Sequence, residues 1–228
     1  MGVVTLANRV AEPTVPVAGL LLKNVAEGSV LKLNEDGSPV EFFVAKHNYE
    51  PSFNGNGRTL LVRKKLAGKS KIVLGSGNEY ADGSMDDWLN NEYKLRFDTA
   101  VRTAVNETFF YYTTKGGTNG SLGLLKRAVF LPSAVEVGAT VEERVNPEGE
   151  VLPIKALLRE PALYNEAATA WWTRSPQAND SSATWCVYKD GTKLQALDAD
   201  NSNGARPCFT LPDTAIFNKE TLLFEGVL

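Results

Sequence analysis

The feature that most constrains this chain is a punctuated alternation. Short apolar and β-branched runs are cut by an acidic residue followed by glycine at Asp36-Gly37, Glu148-Gly149 and Asp190-Gly191. Glycine supplies the positive φ that a tight hairpin needs, so three such turns in three parts of the chain predict a strand-rich protein. The first is the best marked: residues 29–33 (SVLKL) lead into it and residues 40–45 (VEFFVA) lead out. Residues 59–63 (TLLVR) and 71–74 (KIVL) read as further short strands, and another is expected from Ala128.

The alternation stops once. Between Ser84 and Val105, the residues Trp88, Leu89, Tyr93, Phe97, Val101 and Val105 recur at spacings near three and four, which predicts a helical face. Ser84 with Asp87 is a capping-box-like start, and Asp98 is placed to cap a second helix after a break near Phe97. Two central helices between groups of short antiparallel strands make an α+β arrangement. Residues 115–123 are glycine-rich and polar, hence a loop, but lack the Gly-Lys-Ser/Thr ending of a phosphate-binding loop. Ser133 is placed to cap a short turn through Val137. No repeat of 20 to 50 residues is present.

Composition narrows the chemistry. With 228 residues, 43% of them hydrophobic, the chain can close a core. Against 27 Asp and Glu there are 24 Lys and Arg, so the net charge of −3 offers no broad positive field and nucleic acid is not an expected partner. One histidine and two cysteines cannot build a four-ligand zinc site within the chain, and no cofactor or metal is expected. Asp198, Asp200 and Ser202 begin like a calcium loop, but Asn203 stands where glycine is required and Phe209 where a glutamate is required. His47 has no nucleophile elbow to serve and reads as structural or surface. Cys186 and Cys208 lie in strand-like runs away from the histidine, and whether they are bonded or reduced stays open. The opening MGVVTLANRV carries no signal-peptide pattern, and the longest uncharged apolar stretch, residues 14–22, is about half the ~20 residues of a membrane span and contains Pro16. A soluble protein without membrane insertion is expected.

The candidate binding residues are Gln177, Asn179, Asp180, Ser182, Thr184, Tyr188, Asp198, Asp200, Asn201 and Asn203. Small polar residues threaded with Trp185 and Tyr188 resemble a paratope, where aromatics give rigid contact area and Asn or Ser give adaptable hydrogen bonds. An ordinary pair of polar loops over core aromatics is the other reading of the same composition. Around this stretch stand Trp172, large enough to anchor a core, Arg174 and Arg206, with fixed donors for carbonyls or carboxylates, and Gly204, suited to a positive φ. These four are expected to be scaffold.

The motifs WWTRSP (residues 171–176) and NGARP (203–207), with VEFFVAKHNY (40–49), LLVRK (60–64), the Tyr80-Ala-Asp82 and Asp87-Trp-Leu-Asn-Asn91 segments and VFLPSAVEV (129–137), resemble the DUF6273 group of bacterial and phage proteins. The resemblance covers residues 27 to 212. It implies a C-type-lectin-like fold, similar at greater distance to formylglycine-generating enzymes and to the variable phage proteins of diversity-generating retroelements. The enzyme branch uses a close cysteine pair near its C-terminal end, whereas Cys186 and Cys208 are separated by 21 residues, so no catalytic residue is assigned. The other branch sets its ligand-contacting residues between the two end motifs. The resemblance therefore implies a receptor-binding module on a phage virion, tail tip or bacterial surface, with a host-surface protein or glycan as ligand. Residues 1–26 would be an arm, docking on other virion subunits or else packing as an edge strand on its own domain, 27–212 the domain, and 213–228 a tail, with a homo-oligomer among the expected assemblies. A ligand-free baseplate or decoration subunit and a formylglycine-generating-like oxidase are the alternatives.

Overall fold

In the computed structural model, which describes residues 19–72, 77–140 and 145–228, the chain enters through strand β1 (Leu20–Leu21) and a 3-10 turn at Leu22–Asn24. The first expected hairpin follows. β2 (Val30–Glu35) pairs antiparallel with β3 (Ser38–Lys46), and both turn residues, Asp36 and Gly37, have positive φ (49° and 73°), matching the twist of the flanking strands. A helical turn α1 (Pro51–Asn54) opens on proline, whose missing N–H is harmless there. β4 (Arg58–Arg63) adds to β3. The next strand, β5 (Gly68–Ser70), lies earlier than the expected 71–74. The carbonyls of Lys71 and Ile72 are instead used by the Ser84 hydroxyl, and that of Ile72 also by the Met85 N–H; residues 73–74 lie outside the described residues.

The helical face forms in three pieces: α2 (Ser84–Asn91), a 3-10 turn at Tyr93–Arg96, and α3 (Thr99–Ala104). Leu89, Tyr93, Phe97 and Val101 are buried along it. Its capping differs from expectation. Gly83 occupies the N-cap of α2, with Ser84 turned to the preceding strand exit. Asp98 does sit at the N-cap of α3, but its carboxylate accepts from Asn34 (2.8 Å). The reciprocal capping box lies elsewhere, where the Ser133 hydroxyl accepts from Glu136 N–H (3.0 Å) and the Glu136 carboxylate accepts from Ser133 N–H (2.7 Å). β6 (Thr108–Thr113) and β7 (Leu122–Arg127) form a hairpin, and the glycine-rich segment between them winds into one helical turn, α4 (Gly116–Asn119). From Ala128 the expected strand reduces to a single bridge between Phe130 and Cys208.

Among the described residues no strands flank Glu148-Gly149. Gly149 has a positive φ of 91°, but the polar network described below draws Glu148 inside, so the segment passes through the core without pairing. After a turn α5 (Lys155–Leu158), a small hairpin pairs β8 (Leu163–Tyr164) with β9 (Ala167–Ala168). There follow β10 (Trp171–Pro176), β11 (Ala183–Val187), β12 (Leu194–Asp198), β13 (Asn203–Ala205), β14 (Cys208–Pro212), β15 (Ala215–Phe217) and β16 (Phe224–Val227). The Asp190-Gly191 hairpin joins β11 to β12 as expected.

Two sheets carry most of the core. One has the order β14-β4-β3-β2, the other β12-β11-β10-β13-β5. Edge-to-face contacts of Phe209 with Phe42 (5.4 Å between ring centroids) and with Phe97 (5.0 Å) tie the first sheet to the helical segment. A third sheet, β1-β15-β16, is built from residues assigned above to the arm and the tail. Leu22, Ala215 and Phe217 are fully buried, so residues 19–26 and 213–228 pack on the domain core, with β1 as an edge strand; 1–18 lie outside the described residues.

The scaffold residues have distinct roles. Trp172 is buried and donates to Ser70 O (3.0 Å). Gly204 does not use a positive φ. It needs the missing side chain, because a Cβ there would lie 2.4 Å from Leu66 Cδ1. Arg174 is fully buried and spends all its N–H groups: Nε on Tyr111 O, Nη1 on Leu131 O and Glu136 Oε2, Nη2 on Glu136 Oε1 and Glu148 O. The remaining carboxylate sites are filled by Tyr49 Oη on Glu136 and by the Thr113 and Ser175 hydroxyls on Glu148. A buried charge is tolerated when it is both paired and hydrogen-bonded, and this one is.

Candidate functional site

The residues expected to bind ligand divide between the two ends of one sheet. Ala183, opening β11, pairs with Asp198, closing β12, and Ala199 N–H donates to Ser182 O (2.8 Å). The β10–β11 turn (177–182) and the β12–β13 turn (199–202) therefore lie side by side at one end. Asn179, Ser182, Asp198, Asp200 and Asn201 are exposed there, with Gln177 and Asp180 partly buried. Tyr188 is at the opposite end, beside the Asp190-Gly191 turn, separated by the five residues of β11 or about 16 Å of strand. Its ring lies under the Lys193 ammonium (4.9 Å). Thr184 is fully buried because every residue of β11 is covered on both faces, so it presents nothing to a ligand. Asn203 is half-buried and paired with Ser70 in β13.

Within the first turn, Asp180 has a structural task. Its Oδ1 accepts from Ser182 N–H (2.7 Å), Ser182 Oγ (3.0 Å) and Ala183 N–H (2.9 Å), closing the turn in the manner expected of aspartate. The turn is then sewn to two distant segments. Asn78, 2% exposed, donates to Asp180 O (3.0 Å) and Ala183 O (2.7 Å) and accepts from Gly117 N–H (2.9 Å), while Asn179 N–H donates to Gly117 O (2.9 Å). A Cβ at Gly117 would stand 1.9 Å from Gln177 O, so only glycine allows this approach. The glycine pair 116–117 was the one sequence signal of this contact; nothing in the sequence pointed to Asn78.

The three segments enclose a groove of about 660 Å³, lined among others by Glu79, Asp82, Asp87, Lys115, Asn119 and Ser181. Its floor is braced by Asp86, 1% exposed, which accepts from Arg127 Nε (2.9 Å) and from Asp82 N–H (3.0 Å) and so fixes the start of α2. Burial raises the Asp86 carboxyl above the ordinary aspartate value, against the pull of Arg127. Asp82 also pairs with Arg127 (2.8 Å), and Glu79 accepts from Lys115 N–H (2.8 Å). The wall is acidic and rich in hydroxyl and amide groups. This arrangement can hold a polar ligand by many hydrogen bonds.

Among the described residues the groove lining contains no cysteine and no histidine. Cys186 and Cys208 are free and buried, the first pushed up to about 12 and the second well above the ordinary thiol range by desolvation. His47 lies away from the groove, at the end of β3, with Nε2 2.8 Å from Val25 O and Nδ1 2.8 Å from Thr59 Oγ1. Among the described residues no group of three or more His, Cys, Asp or Glu is arranged to hold a metal ion, and no helix is long and apolar enough to cross a membrane.

Neither the curated proteins nor the solved structures contain a match to this chain. A family profile described as a domain of unknown function, DUF6273, matches residues 56–213. The match runs from just before β4 to just after β14 and takes in both turns, the groove and the two scaffold arginines. Because it spans more than half of the 228 residues, the chain belongs to the DUF6273 family.

Proposed function

We propose that this protein is a ligand- or receptor-binding module of C-type-lectin-like fold, carried on a phage virion, a tail tip or a bacterial surface, that recognises a host-surface protein or glycan. The observation that carries the reading is the meeting of turns 177–182 and 199–202 beside a polar groove, on a frame pinned by Asn78 and Arg174. Rigid frames with exposed polar turns are the usual seat of recognition. Hydroxyl, amide and carboxylate groups along the groove favour a hydroxyl-rich ligand such as a glycan. The buried, protonated cysteines favour binding over thiol oxidation.

Labelled protein on a glycan array and on intact bacterial cells tests this. Asn179→Gly, which keeps the positive φ of 63°, combined with Asp200→Ala and Asn201→Ala, should weaken binding at least about tenfold, the loss of roughly 1.4 kcal/mol, with little change in melting temperature. Tyr188→Ala, at the far end of the sheet, should bind as wild type. Equal binding by the triple variant, or loss only with Tyr188→Ala, overturns the assignment of this end.

A further inference from the structure

The two scaffold arginines are both buried, but they are satisfied differently. Arg174 has a carboxylate partner and no N–H to spare. Arg206, 2% exposed, donates to three carbonyls among the described residues: Nε to Arg63 O (2.9 Å), Nη1 to Leu158 O (3.0 Å) and Nη2 to Lys64 O (2.9 Å). A guanidinium has five donors, so one N–H on each terminal nitrogen is left over. No carboxylate among the described residues forms an ion pair with it. The rings of Trp171 (5.2 Å) and Phe43 (5.8 Å) lie against the cation but supply no negative charge. Desolvation pulls Arg206 down to about 9, and the charge of Glu160 offsets only part of that burial cost.

Arg206 also forms part of the wall of a cavity of about 120 Å³, with Phe43, Lys64, Lys65, Leu157, Glu160 and Leu163 among its neighbours. Of the charged residues that border it, Arg206 and Glu160 are the two whose charges are not taken up by a surface ion pair. Lys64 and Lys65 are turned to the surface glutamates Glu41 (2.9 Å) and Glu166 (2.8 Å), and Glu160 acts on Arg206 through its charge without a contact ion pair among the described residues. We propose that this cavity is a binding site for a small oxyanion, a carboxylate or phosphate group, seated against the two remaining donors of Arg206. The site is separate from the groove, and its ligand either is a free anion or is carried on a larger molecule.

The test uses the full chain at constant ionic strength, titrated with inorganic phosphate and, separately, with acetate. Melting temperature and the Nε–H resonance of Arg206 are followed. The expected result is a saturable rise in melting temperature with a parallel shift of the Arg206 signal. Glu160→Gln, which removes the competing carboxylate, should tighten the anion by roughly threefold, the scale of one partly exposed charge pair. Leu163→Trp, which fills the cavity and leaves Arg206 in place, should abolish saturation. A response to phosphate alone indicates a phosphate group and a response to both indicates either oxyanion; both outcomes uphold the site. A non-saturating rise shared by all variants means an adventitious ion only and overturns it. A fall in melting temperature of Glu160→Gln without added anion, and no anion response in either protein, makes Glu160 the counter-ion and also overturns it.

Discussion

Removing Arg174 tests the frame most directly. Arg174→Met keeps length and packing but strands Glu136, whose carboxylate is fully buried and would retain only Ser133 N–H and Tyr49 Oη. It also frees the carbonyls of Tyr111 and Leu131. Breaking a buried pair by deleting one member costs about 3–5 kcal/mol. At about 2–4 °C per kcal/mol for a chain of this size, the melting temperature should fall by roughly 6–20 °C. Glu136→Gln alone should cost less, because Gln keeps an acceptor for the neighbouring donors and leaves Arg174 its carbonyl partners. The double variant should be no worse than Arg174→Met by itself, giving a coupling energy of about 1–3 kcal/mol in a double-mutant cycle. Thermal and urea unfolding of the four proteins supply the numbers. A fall below about 2 °C for Arg174→Met, or additive single effects, would refute the claim that this pair ties β10 to Leu131, Glu136 and Glu148.

Other consequences follow from the same geometry. Burial raises the Glu148 carboxyl above the ordinary glutamate value, so the folded state holds that proton more tightly than the unfolded chain. Its contribution to stability is then greatest below the unfolded value of ~4.3 and is lost as pH rises through the raised folded value; Glu148→Gln should flatten that part of the stability profile relative to wild type. Gly117→Ala drives a Cβ into Gln177 O and Asp180 O and should cost about 1–3 kcal/mol, with backbone amide shifts concentrated in residues 177–183. Cys186 and Cys208 should resist thiol reagents in the folded protein at neutral pH and react at the rate of unfolding; rapid native labelling of either would contradict their burial.

Much of the architecture was legible in local pattern. The Asp36-Gly37 and Asp190-Gly191 hairpins, the broken helical face and its interruption at Phe97 depend on φ preference and on period, which act over a few residues. Glu148-Gly149 failed as a hairpin although its glycine has the right φ, because the carboxylate's partners, Ser175 and Thr113, are 27 and 35 residues away. Ser84 and Asp98 look like caps from their spacing, yet the Ile72 carbonyl and the Asn34 side chain claim their polar atoms.

The candidate site divides the same way. Composition located the polar stretch 177–203 and could not say that Thr184 is sealed inside β11 or that Tyr188 points from the other end of the sheet. Those facts depend on strand register, where each residue advances about 3.3 Å and changes face. The sequence by itself determined the strand-rich α+β class, the two end motifs and their scaffold arginines, since these follow from residue types at short spacing. Only the tertiary structure decided which turns meet, that Asn78 and Gly117 join them, and that Arg174 has a contact counter-ion while Arg206, among the described residues, has carbonyl partners. A buried charge is compensated by whatever the fold brings within about 4 Å, and sequence distance does not reveal that neighbour.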